Sequence, residues 1–352
     1  MADLKEQTIQ LLQRLIATES FSENEGGTAT HLKNWCDHHQ IRYQTLGHTV
    51  WATNADYDPK KPTLLLNSHH DTVYPNQAYT RDPFDPAIED GKLYGLGSND
   101  AGGALVSLLA AFTHFYTTSE LSHNLLFVAS VEEETAGPKS LRGILSDLPP
   151  IDVAIVGEPT LLDMAIAEKG LLVFDAVIKG TPSHAAHPNK DNPIMKLPKV
   201  LEWFENYHFD RESPVLGPVK MTVTQVSAGS QHNVVPSQVN LVVDVRVNDQ
   251  YANTDLAAQL QSEAPCALHA RSLHLEASSI PEDHALVQAG LGLGRNTYGS
   301  PTLSDQAALK CPSLKMGPGD SKRSHSADEF IYVQQVKDGV AFYIDVLKGV
   351  IS

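Results

Sequence analysis

Three short runs of almost wholly apolar residues, 63–67 (TLLLN), 124–130 (NLLFVAS) and 153–156 (VAIV), punctuate the first half of this chain. Such runs predict strands covered on both faces. Between the first two, residues 103–115 (GALVSLLAAFTHF) read as a helix rich in small and apolar side chains. Strands separated by helices in this way predict an α/β fold, with a mostly parallel sheet sandwiched by helices.

The pattern then changes. Residues 171–179, 219–226, 239–247 and 267–275 include alternating, half-buried strands, with helical segments near 195–207 and 254–263. That β-α-β-β-α-β order is the ferredoxin-like α+β unit, here an insertion of roughly 110 residues. After Pro281 the helical and parallel pattern resumes. It closes on an amphipathic helix bearing Val333, Val336, Val340, Tyr343 and Leu347. The expected organisation is a catalytic domain over 1–169 and 282–352, interrupted by a second domain over 170–281. A length of 352 residues also favours two domains, since single cores stop growing at about 250–300 residues.

The formal net charge of −16 argues against nucleic-acid partners, which favour basic patches. No apolar run approaches a membrane span, so no membrane partner is expected. The first residues read as an amphipathic helix (Leu4, Leu11, Leu12, Leu15 and Ile16 on one face) rather than a signal peptide. Three scattered cysteines, Cys36, Cys266 and Cys311, read as small buried side chains in a reducing, cytoplasmic setting.

His69, Asp100, Glu134 and Glu158 each follow a short apolar run, and His325 lies in a glycine- and serine-rich loop before the last helix. Strand ends are where open α/β sheets place their sites. A mixed His/carboxylate set with two ligands per ion and one shared carboxylate suits a co-catalytic pair of zinc-like ions. Singly, each residue has an ordinary structural reading: Asp100 could cap the following helix, and surface Glu runs like Glu132–Glu134 are common. Three carboxylates at the end of a buried strand, however, are costly unless cations offset their repulsion. Asp71, two residues after His69, could hold that imidazole from the far side.

The segments SHHDTV, GLGSNDAGG, VEEETAG, IVGEPT and SHSADEF together resemble the zinc amidohydrolases that include acetylornithine deacetylase, succinyl-diaminopimelate desuccinylase, aminoacylase and glutamate carboxypeptidase. The likeness runs from residue 69 to 325. It implies that Asp100 bridges two divalent ions, zinc first, with cobalt or manganese as alternatives. His69 and Glu158 would complete one site, Glu134 and His325 the other. It further implies that Asp71 orients His69, that Glu133 is the general acid/base, and that the Asp100–Ala101 peptide is cis. One departure is local: Glu132 stands where the family usually has Asp. In the inserted domain, TPSHAAHP implies that His184, ahead of His187, polarises the scissile carbonyl. QHNVVP and VVDVRV imply substrate contacts through Asn233 and Arg246. For Arg246 an ordinary sheet-surface arginine is the equal alternative.

The resemblance implies a lid that also dimerises the chain, and a small N-acyl amino acid as substrate. SPTLSDQA and GPVKMTVTQVSAG are most similar to bacterial acetylornithine deacetylases, implying N-acetyl-L-ornithine hydrolysis in arginine biosynthesis. N-succinylornithine, N-acetylcitrulline and dipeptides are the alternatives. A metal- or ligand-binding protein without turnover is the non-enzyme alternative, which the presence of Glu133 opposes.

Overall fold

A computed structural model of the protein describes residues 2–351. These residues form two compact units. The first comprises 1–166, 279–298 and 304–352, apart from the terminal residues, and is built on a mixed sheet. In that sheet Thr63–His69 lies centrally, parallel to both Asn124–Ser130 and Val153–Val156. Ser313–Lys315 continues the parallel run beside Val153–Val156. Antiparallel strands finish the sheet, with Thr49–Thr53 against Asn124–Ser130 and Met164–Glu168 against Ser313–Lys315.

The uninterrupted apolar runs follow from burial on both faces. Leu64 and Leu66 join one core with the helices Ala2–Ile16, Gly103–Phe115 and Val333–Ile351. Leu65 points the other way, among Trp51, Leu126, Val128, Leu141 and Ile144. Leu125 and Phe127 repeat this division against Leu126 and Val128, as the strand period of two requires. Leu64, Leu65 and Leu66 are each 0% exposed, so each contributes about 1.5–3 kcal/mol of apolar burial.

Gly102 and Gly103 let the small-residue helix approach closely. A Cβ on Gly102 would strike the Gly97 carbonyl, and one on Gly103 would strike Ile331. Among the described residues no helix is long and apolar enough to cross a membrane.

Cys36 is 1% exposed, and burial pushes its thiol up to about 12, with Asp37 adding to the effect. Thiolate is the reactive form, so a thiol reagent is expected to leave Cys36 intact until denaturant is added. Mass spectrometry of the native, labelled protein checks this. Early modification of Cys36 would show that the first core opens readily.

The second unit comprises Ala167–Ser278 and Gly299–Leu303. The return at 299–303 is absent from the boundaries read from the sequence. Its backbone is tied in where the Lys169 N–H donates to the Ser300 carbonyl at 3.1 Å. Its antiparallel sheet runs Lys220–Ala228, Gln238–Val247, Gly170–Lys179, Ala267–Ala270, with helices Pro193–Asn206 and Asn253–Glu263 packed on it. This is the order of a ferredoxin-like unit. The last strand is four residues long, shorter than the 267–275 span that its alternation suggests. Beyond it, regular pairing breaks off, although the Arg271 N–H still donates to the Val173 carbonyl at 2.9 Å and the Leu275 carbonyl accepts the Leu171 N–H at 2.8 Å.

Candidate metal centre

The parallel strands deliver their polar side chains to one end of the sheet. His69 is the last residue of Thr63–His69. Glu133 and Glu134 follow Asn124–Ser130, and Glu158 follows Val153–Val156. Asp100 comes from the irregular turn before Gly103–Phe115, joined to Ala101 by a cis peptide bond. It does not cap that helix, whose N-terminus has no side-chain cap. His325, at φ 57°, stands in the loop before Phe330–Tyr332.

Asp100 is shared between two groups. Its Oδ1 lies 3.6 Å from His69 Nε2, and its Oδ2 lies 3.6 Å from His325 Nε2. Glu158 Oε1 is 3.8 Å from His69 Nε2. On the other side Glu134 Oε2 is 3.0 Å from His325 Nε2. One atom each of His69, Asp100 and Glu134 falls within 4.8 Å of the others.

Separations of 3.6–3.8 Å are too long for hydrogen bonds. Two ligands about 2.0–2.1 Å from one tetrahedral ion stand about 3.4 Å apart. The oxygens of Asp100 thus face two imidazole–carboxylate pairs at spacings close to those of shared coordination. The donor set fits a pair of divalent ions.

The titration behaviour reflects crowding of acids. Burial raises Glu158 to about 8, with Asp100 and Glu134 adding and His69 opposing. Burial likewise holds Glu133 well above the ordinary carboxylate value, and Glu158, Asp305 and Glu134 reinforce it. Burial alone would lower His69, but Asp100 and Asp71 carry it well above the usual imidazole value. Hydrogen bonding to Glu134 raises His325 to about 9.

A cation must displace these protons from the metal-free chain. Apparent metal affinity is therefore expected to rise with pH until His325 and Glu158 are deprotonated, near about 9 and 8. Titration with zinc in a weak buffer should release protons. A pH-independent affinity would contradict this arrangement.

Asp71 lies just beyond its strand. His69 Nδ1 donates to the Asp71 main-chain carbonyl at 3.0 Å, while the Asp71 carboxylate Oδ1 is 3.4 Å away. That carboxylate also accepts the Glu133 N–H at 3.1 Å and the Glu134 N–H at 3.2 Å. Asp71 therefore touches the His69 ring and the backbone of the glutamate pair together. Glu132 takes a different course. At φ 54° and 1% exposure, it turns its carboxylate to accept the Lys139 N–H at 2.9 Å. The Glu132 carboxylate thus belongs to the following turn, leaving Glu133 and Glu134 beside Asp71.

Three supporting residues escape a reading by residue type. Glu329, 1% exposed, accepts the N–H groups of Asn99 at 2.8 Å, Asp100 at 3.0 Å and Gly97 at 3.3 Å. Burial and Asp100 raise its carboxyl to about 8, against the pull of those N–H groups. Asn99 Oδ1 accepts from the Asp320 N–H while its amide donates to the Asp320 carbonyl, fixing the turn ahead of His325. Asp305 accepts from Ser130 Oγ at 2.6 Å, and burial raises it to about 6. The signal for Glu329 was the acid in SHSADEF, but its main-chain partners lie 229–232 positions away.

His184, Asn233 and Arg246 all lie in the second unit. His184 and Asn233 are neighbours there: Ser183–His184 pairs with Val234–Val235, and the Ala185 N–H donates to the Asn233 carbonyl at 2.9 Å. The Ala186 N–H donates to His184 Nδ1 at 3.1 Å. That contact leaves the proton of the neutral ring on Nε2. Arg246 spends its fork on Asp244, with contacts of 2.9 and 3.1 Å.

The chain is similar to several known proteins. It is 29% identical to an acetylornithine deacetylase of Proteus mirabilis, covering 92% of this chain and 91% of that one. It is 25% identical to a succinyl-diaminopimelate desuccinylase of Wolbachia pipientis, covering 98% and 94%. Among solved structures, a Staphylococcus aureus tripeptidase matches with TM-score 0.77 and 19% identity over 98% of both chains. A dinuclear metal-binding peptidase of Bacillus subtilis matches with TM-score 0.75 and 17% identity, over 99% of this chain and 98% of that one. The model of peptidase family M20/M25/M40 matches residues 65–349. With most of its length matched in this way and a His/carboxylate centre at its sheet end, the chain belongs to peptidase family M20/M25/M40 and is an enzyme of that family.

Proposed function

We propose that the protein hydrolyses the amide bond of an N-acyl amino acid, with N-acetyl-L-ornithine as substrate and L-ornithine and acetate as products. This would place it in arginine biosynthesis, in the cytoplasm. The observation carrying the reaction is Glu133, a half-buried, proton-avid carboxyl that feels His69, Glu158 and Glu134 and whose backbone N–H is held by Asp71. The similarity to an acetylornithine deacetylase supports the choice of acyl group.

His69, Asp100 and Glu158 would hold one divalent ion, and His325, Asp100 and Glu134 a second. When bound, the ions supply Lewis-acid charge that acidifies water and polarises a carbonyl. Glu133 takes the proton of the attacking water, and its raised pKa makes it a strong enough base to do so. Asp71 holds the Glu133 backbone and the His69 ring while this happens. His184, of this chain or of a second copy, would donate from Nε2 to the developing carbonyl oxyanion. Glu133 then gives its proton to the leaving nitrogen, so that amide and water become carboxylic acid and amine. Arg246 and Asn233 would bind the amino-acid part, Arg246 by exchanging Asp244 for the substrate carboxylate.

The second unit would serve as lid and dimerisation domain. Its edge strand Lys220–Ala228 is mostly exposed, and Val226 is 49% exposed. An open edge of this kind invites pairing with a second copy. Sedimentation should give a dimer; a monomer at working concentration would remove this role.

A second reading, desuccinylation, is favoured by the relatives of that name at 25% identity. Purified enzyme with added zinc, cobalt or manganese should be assayed on N-acetylornithine, N-succinylornithine, N-acetylcitrulline and simple dipeptides. Turnover of N-acetylornithine above the others is expected. Turnover of dipeptides alone would make the protein a peptidase of the family instead.

A further inference from the structure

Asp71 carries four contacts on a carboxylate that is buried. Three belong to the centre itself: the N–H groups of Glu133 and Glu134, and the His69 ring. The fourth comes from elsewhere. Ser22 Oγ donates to Asp71 Oδ2 at 2.7 Å, the shortest of the four. Charge-assisted O–H···O⁻ bonds have lengths close to this. With about four lone-pair sites on a carboxylate, Ser22 completes the set.

Ser22 is held in place independently of its side chain. The segment after the first helix runs parallel to the end of the ligand strand, with Phe21 bridged to Thr72. The Thr72 N–H donates to the Ser20 carbonyl at 2.8 Å. The Phe21 ring stacks on Tyr74, centroids 4.2 Å apart, and meets Phe84 edge-on. The Asn24 N–H closes a turn on the Phe21 carbonyl at 2.8 Å. Main-chain pairing and ring contacts thus present the hydroxyl at a fixed point, 49 residues away in sequence from its acceptor.

A carboxylate free to turn about its Cβ–Cγ bond could satisfy either the imidazole or the two backbone N–H groups, but not both well. A donor on Oδ2 fixes that rotation. Oδ1 then stays toward His69 and Glu133, and Oδ2 toward Glu134.

We propose that Ser22 is a positioning residue: through Asp71 it sets the His69 ring and the Glu133–Glu134 backbone at the same time. The inference rests on the hydrolase reading only where it concerns kcat. Its metal arm does not.

The test compares Ser22→Ala, Ser22→Thr and Asp71→Asn with the parent enzyme. Zinc affinity is read by competition with a chromogenic chelator, kcat and KM on the best substrate of the panel, and Tm on the metal-free chain. Partners that orient a ligand in this way are worth roughly 10–100-fold in affinity or activity. Ser22→Ala should therefore weaken zinc binding and lower kcat by about ten-fold, with KM unchanged and the metal-free Tm lowered by no more than the few degrees that one charge-assisted hydrogen bond is worth. Ser22→Thr, which keeps the hydroxyl, should recover most of both. In an Asp71→Asn background Ser22→Ala should add little, because its acceptor is already altered. Parent-like zinc affinity in Ser22→Ala, or a loss that Ser22→Thr does not relieve, would overturn the proposal. If no substrate turns over, the zinc arm still decides it, so the two readings fail separately.

Discussion

Glu133→Gln is expected to lose roughly a hundred- to ten-thousand-fold in kcat, the range spanned by a positioned general base, while retaining its metal. Glu133 is not among the side chains that crowd around Asp100 as candidate ligands. Its backbone N–H is held by Asp71 at 3.1 Å whatever the side chain carries. A glutamine fits the same space but cannot take the proton of water. The loss should therefore fall on kcat, with KM and zinc content near those of the parent. Elemental analysis alongside steady-state kinetics separates the outcomes. Lost metal would reassign Glu133 as a ligand, and unchanged kcat would remove it from the chemistry.

The second large effect is expected at Glu329. Its carboxylate is the common acceptor for three backbone N–H groups in the segment that carries Asp100. Glu329→Ala leaves those groups buried without an acceptor, at about 1–3 kcal/mol for each group left unsatisfied. A fall of about 3 kcal/mol or more in unfolding free energy should follow, together with weakened metal binding as Asp100 loses its seat. Glu329→Gln keeps one carbonyl oxygen and should retain most of the stability. Denaturant unfolding of the metal-free chains, followed by zinc titration, checks both. Equal stability in parent and alanine variant would show that the Gly97–Asp100 segment holds its own shape.

Much of this fold is legible because burial imposes a pattern. The runs at 124–130 and 153–156 coincide with observed strands, since a strand covered on both faces must be apolar at nearly every position. The helix Gly103–Phe115 is equally plain, because a helix packed on all sides needs small and apolar residues throughout. The second unit is legible by alternation, as in Gly170–Lys179, where one face is buried and the other is less so. Its last strand is harder to delimit, because the chain between Arg271 and Leu275 leaves the regular ladder while both ends stay bonded to Gly170–Lys179, an irregularity that side-chain alternation does not reveal.

The centre divides in the same way. His69, Asp100, Glu134, Glu158 and His325 are side chains whose types announce their chemistry, and the fold gathers them. Glu132 shares their type but not their place, because a positive φ turns it away from Glu133 and Glu134. Ser22 and Glu329 are hidden for a different reason. Their partners are a carboxylate and main-chain N–H groups far along the chain, and neither leaves a mark on local spacing. Arg246 shows its type but not its present partner, Asp244.

The number of ions each chain holds bears most directly on the shared role of Asp100. Purified protein equilibrated with zinc, freed of excess and measured by elemental analysis should contain two ions per chain. His325→Ala should contain one, because His69, Asp100 and Glu158 remain intact. A parent with a single ion, or a His325→Ala variant that keeps two, would contradict a centre built around one bridging aspartate.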